Sequence, residues 1–328
     1  AVFLSLMVGA CLALICQTYN IPGDAGSFTL TWMLLILPLV YFMEATLPAA
    51  IYLIGIMCWA SFYADDPIRS ICFWPLAALV VPHFIWSLRR EIYTLRSAIL
   101  AFVMAIGVCV GAGVSLGKTW PGAWMIIFPS IFSILYFLGS SKFEGIHTNW
   151  QHSLRFIGGL GIFSLAYSFS FKETWQSLLD TRYFYSRGKI TDLSAIPDHL
   201  FTFIIIVSAA LFFYNYAKRN IDKKALFGLM PLLAIVCYSL GGKSALFSMA
   251  LFNLYLFGMS IYWIISGVRN NRLKTVNIGM LMLALLIIGR FFDSEVGFVV
   301  RGIAFILVGT GFLVANAMLI RQRGGKSE

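Results

Sequence analysis

Ser97 to Val114 reads SAILAFVMAIGVCVGAGV, eighteen consecutive positions without a charged side chain. An α-helix needs about 20 mostly apolar residues to cross the hydrocarbon core of a bilayer, so this stretch reads as a membrane span. Working outward, similar runs precede it at 1–16, 29–43, 46–64 and 70–88. They continue after it at 122–139, 154–171, 200–217, 225–240, 244–266, 274–290 and 298–320. Hydrophobic residues make up 60% of the 328, charged residues 12%, and the mean hydropathy is +0.85. A soluble globule of this size would not carry that excess. The pattern predicts an all-α fold: a polytopic integral membrane helical bundle of roughly ten to twelve transmembrane helices, forming a single transmembrane domain over residues 1–328. The run at 29–43 is short and the Pro48 break after it is weak, so 29–43 and 46–64 read either as two crossings or as a re-entrant pair.

The formal net charge is +10. In a soluble protein that balance would point to nucleic acid, but here Lys and Arg sit in short loops beside apolar runs, the distribution that the positive-inside rule produces. If the spans alternate, 15 of the 24 cationic side chains fall on one side, among them Arg89, Arg90, Arg269, Arg272 and Arg321. That side is expected to be cytoplasmic and to hold both ends of the sequence. The 168–200 segment is then an outer loop, with an interfacial helix near Glu173–Tyr185. Trp32, Trp74, Trp86, Trp120, Trp150 and Trp175 fall near span ends, where an amphipathic ring suits the headgroup zone. The sequence opens at Ala1 inside an apolar run with no basic segment before it, which reads as a chain whose natural start is missing.

Metal and cofactor chemistry has little to build on. The six cysteines all lie in apolar runs and none forms a C-x-x-C pair, so neither a disulfide framework nor a zinc site is expected. His147 and His152 stand five apart, where a helical metal pair favours four. Gly241-Gly242-Lys243-Ser244 lacks the leading glycine of a phosphate-binding loop, since that position is Cys237. Gly107 and Gly111, then Gly113 and Gly117, give small-xxx-small pairs that let helices approach.

Two polar constellations stand out. In Gln17-Thr18-Tyr19-Asn20-Ile21-Pro22-Gly23-Asp24, proline and glycine break the helix, and Asp24 is placed either to cap the next helix or to line a solute site. In Gly289-Arg290-Phe291-Phe292-Asp293, followed by Arg301, a guanidinium roughly one turn inside the last span must snorkel, pair or face water. The candidate binding residues are therefore Gln17, Asn20, Asp24, Arg290, Asp293 and Arg301. Glu44 and His83 are further ionisable groups at membrane depth, and their spacing does not bring them together.

The first constellation, leading into Leu30-Thr31-Trp32 and Leu37-Pro38, resembles the Q-x-Y-N/H-I-x-G-D…L-x-W…L-P pattern of a bacterial membrane-protein family catalogued as domain of unknown function 2157. The tail Arg290-Phe291-Phe292-Asp293, then Arg301-Gly302-Ile303-Ala304-Phe305 and Gly309, is similar to that family's closing segment. The two motifs cover about a fifth of the chain. The resemblance implies a bacterial cytoplasmic (inner) membrane protein and supplies no substrate.

Three function classes follow. The first is a transporter-like or channel-like protein with an outward-facing polar site, taking a small solute or ion. The second is an accessory or structural membrane protein that binds another envelope protein. The third, a membrane-embedded enzyme, is least supported, because no nucleophile–base set, metal triad or catalytic carboxylate pair stands at a recognisable spacing. The partners expected are the lipid bilayer, a solute and an envelope protein, with no nucleic acid and no cofactor.

Overall fold

The computed structural model describes residues 1–90, 94–116, 122–142, 153–177, 195–219, 223–240 and 245–292, with isolated helical positions between 299 and 313. Among these the fold is all-helical. The elements are α1 Val2–Thr18, α2 Ala25–Phe42, α3 Thr46–Phe62, α4 Pro67–Ile71, α5 Phe73–Ala78, α6 Val81–Arg90, α7 Leu95–Ser115, α8 Trp124–Lys142, α9 Ser153–Phe169, α10 Ala195–Arg219, a 3-10 helix Lys223–Gly228, α11 Leu229–Leu240, α12 Ala245–Arg269 and α13 Leu273–Phe292.

Among the described residues, five helical stretches are long and apolar enough to cross a membrane: Ala25–Phe42, Ile68–Arg90, Leu95–Ser115, Ala245–Arg269 and Leu273–Arg290. Six more apolar helices are shorter, Val2–Thr18 and Thr46–Phe62 among them. Their outward faces are oily: Leu254 is 67% exposed, Leu281 59% and Phe42 87%. Water would penalise that surface, whereas acyl chains accept it. Hydroxyls within these helices return to the backbone four residues back. Thr29 donates to Ala25, Ser61 to Met57, Ser130 to Ile126 and Ser260 to Leu256, at 2.7–2.9 Å. A polar group satisfied inside its own helix does not have to find a partner in lipid.

The described residues form two compact units. The first comprises 1–162 and 177–240. Here α3 packs on α2 and α7 around Met33, Ile36, Val40, Tyr52, Leu53, Ile56, Phe73 and Leu100. α2 and α3 thus lie packed against each other. A second cluster joins α7 to α8 through Ala101, Ala105, Ala112, Ile127, Ile131 and Leu135. Glycine sets the spacing in two different ways. A Cβ on Gly111 would strike the ring of buried Phe73, so that glycine makes room for an aromatic side chain. A Cβ on Gly158 of α9 would lie 2.5 Å from the Tyr136 amide nitrogen of α8, so there the two backbones themselves meet.

The second unit comprises 163–176 and 241–328. Its core is aromatic: Phe169, Trp175 and Phe252 meet at centroid distances of 5.1–5.8 Å. Trp175 is 1% exposed, and its indole N–H donates to the Phe169 carbonyl at 2.7 Å. The expected headgroup role of this tryptophan is thus replaced by a core role. Residues 172–177 are helical; the rest of the expected interfacial helix lies outside the described residues. α12 and α13 form a tight hairpin whose turn places Asn271 at φ 52, a left-handed conformation that asparagine tolerates. Gly267 and Gly279 sit at the facing backbones, the second within 2.8 Å, as a Cβ, of the Ile264 nitrogen.

Candidate functional site

The Gln17–Asp24 stretch folds as a capped turn. α1 ends at Thr18, and Asn20 adopts φ 48, another left-handed position open to asparagine. Asp24 is the N-cap of α2: its Oδ1 accepts the Ser27 amide at 3.0 Å, meeting one of the donors a helix start leaves free. Its Oδ2 accepts the Tyr63 hydroxyl at 2.6 Å, which ties the start of α2 to the end of α3. The Tyr63 ring lies against Gly26, where any Cβ would collide with it. Arg69 stacks over the same ring at 4.9 Å and pairs with Asp66 at 3.3 Å. Gln17 and Asn20 are exposed beside this cluster. Both Asp24 oxygens are engaged, so the residue shapes the rim of the first unit.

Hydrogen bonding from Ser27, then from Tyr63, holds the Asp24 carboxyl well below its ordinary value of 3.8. Such a group adds stability that is fully present above the unfolded value and is lost as pH falls through the lowered one. We expect Asp24→Asn to flatten the acid-side decline of the thermal midpoint, read by circular dichroism in detergent between about pH 5 and 2. An unchanged decline would remove Asp24 as its source.

The 68–90 span differs from the continuous helix that its hydropathy predicts. It breaks at Cys72 and again at Leu79–Val80, giving α4, α5 and α6. Pro75 and Pro82 each lack the N–H that a continuous helix needs, and each ring crowds the carbonyl four residues back. Carbonyls at the second break are met by two tyrosines from neighbouring helices. Tyr52 of α3 donates to the Leu76 carbonyl at 3.0 Å, and Tyr41 of α2 donates to that of Leu79.

His83 follows directly. It is 4% exposed, set edge-on to the Tyr41 ring at 6.1 Å and beside the Trp86 ring at 6.0 Å. Its Nε2 is buried and has no hydrogen-bond partner among the described residues. Glu44 lies in the turn after α2. It pairs with Arg90 at 3.2 Å, while the Arg90 guanidinium stacks over Trp86 at 4.7 Å. Both members of that ion pair are more than half exposed, so the pair itself contributes little stability. The sequence offered one signal for this arrangement, two prolines within an apolar run; the tyrosines that complete it carried none.

Arg290 belongs to the second unit. It reaches from the last turn of α13 to the C-terminal end of α9. One Nη2 donates to both the carbonyl and the hydroxyl of Ser170, the latter at 2.9 Å. The guanidinium stacks 4.6 Å over Phe171. Asn253 of α12 shares the Ser170 carbonyl at 3.0 Å. A helix C-terminus carries partial negative charge, so a cation is favoured there. Arg290 thus closes the 167–171 turn against α12 and α13. Ser170 stands 120 positions earlier in the chain, which is why no local pattern announced it. Asp293 and Arg301 lie outside the described residues. No group of three or more metal-ligating side chains occurs among the described residues.

Comparison with curated proteins and comparison with solved structures each return no match. The model of a family described as Predicted membrane protein (DUF2157) matches residues 1–49, a segment that contains α1, α2 and the Gln17–Asp24 turn between them.

Proposed function

We propose that this membrane protein is transporter-like or channel-like and passes a small polar solute or ion along the interrupted 68–90 span. The observation that carries the reading is that interruption: the 68–90 run contains two prolines and divides into three short helices, and hydroxyls from α2 and α3 meet carbonyls at the second division. Irregular backbone at membrane depth is tolerated only where protein or a water-filled cavity surrounds it, and transport proteins place solute sites at such breaks. In this reading Gln17, Asn20 and Asp24 form an outward-facing mouth in the first unit. The shorter apolar helices also cross, bringing the count to roughly ten to twelve. The lysine and arginine bias supports a cytoplasmic position for both ends of this sequence, and the family resemblance implies a bacterial inner membrane.

Solid-supported-membrane electrophysiology on reconstituted full chain tests the proposal. Sodium, potassium, chloride, phosphate and amino acids are offered in turn at stepped pH. The expected result is charge movement with one of these, reduced about tenfold or more in the Pro75→Ala/Pro82→Ala double variant, where the helix can close. Absence of current from every probe would overturn it.

A second reading draws on the rims of the first unit. Asp24 with Tyr63, Arg69 with Asp66 and Glu44 with Arg90 satisfy one another as clamps between helix ends. That economy favours an accessory or structural protein that offers its outer loops to another envelope protein. A protein-free-level current in every assay would favour it.

A further inference from the structure

From Ala245 to Phe292 the sequence contains no aspartate or glutamate, yet Arg269, Arg272 and Lys274 stand within six positions of one another. α12 ends at Arg269 and α13 begins at Leu273, so the three cations crown one end of the hairpin. The backbone fixes the turn between them, the Arg272 amide donating to the Gly267 carbonyl at 2.9 Å. All three residues are exposed, and none forms an ion pair with another described residue. Among the described residues the carboxylate of this unit is Glu173, three positions beyond the Ser170 that Arg290 holds. Arg290 and Leu273 lie at opposite ends of α13, about 25 Å apart at about 1.5 Å per residue. Salt screens exposed charges over about 8–10 Å, so Glu173 does not answer the turn. The counter-charge has to come from outside the unit.

What flanks the cations is apolar. On α12, Leu254, Phe257, Ile261 and Ile265 recur at intervals of three and four, and Arg269 is the next position on that face. On α13, Lys274 leads into Ile278 and Leu281 at the same intervals. All six apolar side chains are exposed, so each limb presents an apolar stripe that ends in a cation at the turn. A soluble anion would match the cations alone and leave the stripes bare. A phospholipid of net negative charge matches both. We propose that the α12–α13 turn is a docking site for an anionic phospholipid. Arg269, Arg272 and Lys274 hold its phosphate, and its acyl chains lie along the two stripes. Each arginine fork can meet two phosphate oxygens at once, and the lysine adds a point charge. The assignment uses the membrane class of the chain and not the transport reading, so either can fail without the other.

Native mass spectrometry of the delipidated full chain in detergent tests this. Phosphatidylglycerol and phosphatidylcholine with the same acyl chains are titrated separately. The wild type is expected to prefer phosphatidylglycerol by about tenfold or more. Arg272→Gln should reduce that preference about fivefold, the worth of one basic residue near an anionic surface. The triple variant Arg269→Gln/Arg272→Gln/Lys274→Gln should lose it. Arg89→Gln/Arg90→Gln/Arg96→Gln removes the same charge from the first unit and should keep it. If the first triple variant fails to fold, Arg272→Gln against Arg89→Gln decides. Equal binding of the two lipids by wild type, or equal loss in the compared variants, overturns the proposal. So does displacement of the bound lipid by glycerol 3-phosphate at the same concentration, which would mark a site for soluble phosphate.

Discussion

Gly279→Leu is expected to stop α12 and α13 from closing into their hairpin and to destabilise the second unit by more than about 3 kcal/mol, beyond the usual range for overpacking. A leucine there would press on backbone as well as on the Ile264 side chain. Its Cβ would lie 2.8 Å from the Ile264 nitrogen and 2.9 Å from the Ser260 carbonyl oxygen, so one whole helix would have to retreat. Without a strong hydrophobic drive between helices in lipid, close backbone approach supplies much of their packing energy. Retreat therefore loses the interaction along the hairpin rather than at one point. Gly258→Leu is the matched control: it lies on α12 with nothing within 4 Å of its would-be Cβ. Unfolding of both variants with increasing denaturing detergent should show a large loss for Gly279→Leu and little for Gly258→Leu. Equal losses would mean that glycine content, and not backbone contact, governs the pair.

Trp175→Ala should cost about 3–5 kcal/mol, the range for removing a large buried aromatic side chain. The indole is 1% exposed, lies between Phe169 and Phe252, and gives its N–H to the Phe169 carbonyl. Alanine would leave a cavity among rings that cannot collapse into it, and would leave that carbonyl without its indole donor. Trp175→Phe separates the two effects, since it keeps most of the packing and removes only the N–H. Denaturing-detergent midpoints should place Trp175→Phe between wild type and Trp175→Ala. A Trp175→Ala protein as stable as wild type would show that the 172–177 helical segment is not part of the core of this unit.

Hydropathy alone places most of the helices, because a span has to be apolar over a set length whatever surrounds it. The predicted 97–114 run becomes Leu95–Ser115, and 274–290 becomes Leu273–Phe292. It fails where two requirements overlap in one stretch. Residues 70–88 are apolar enough to span, yet Pro75 and Pro82 divide them, and the hydropathy of the run is indifferent to that division. Trp175 misleads for a related reason: an indole near a helix end suits either a headgroup layer or a core, and the rings that decide it, Phe169 and Phe252, are read only in three dimensions. The cap at Asp24 was legible because capping is local, three residues to Ser27. Its second bond, to Tyr63, was not. The partners of Arg290 are likewise products of packing between distant segments.

The α12–α13 turn bears on how the chain enters its membrane. Arg269, Arg272 and Lys274 fall within six residues of one another around a turn that leaves no room for slack. Cations resist translocation, so the proposed topology keeps this bend on the side where synthesis takes place. The two apolar limbs then descend together as one insertion unit, with glycine at their shared seam already in register. On that topology neither limb has to dwell alone in lipid, a consequence of the shortness of a single loop.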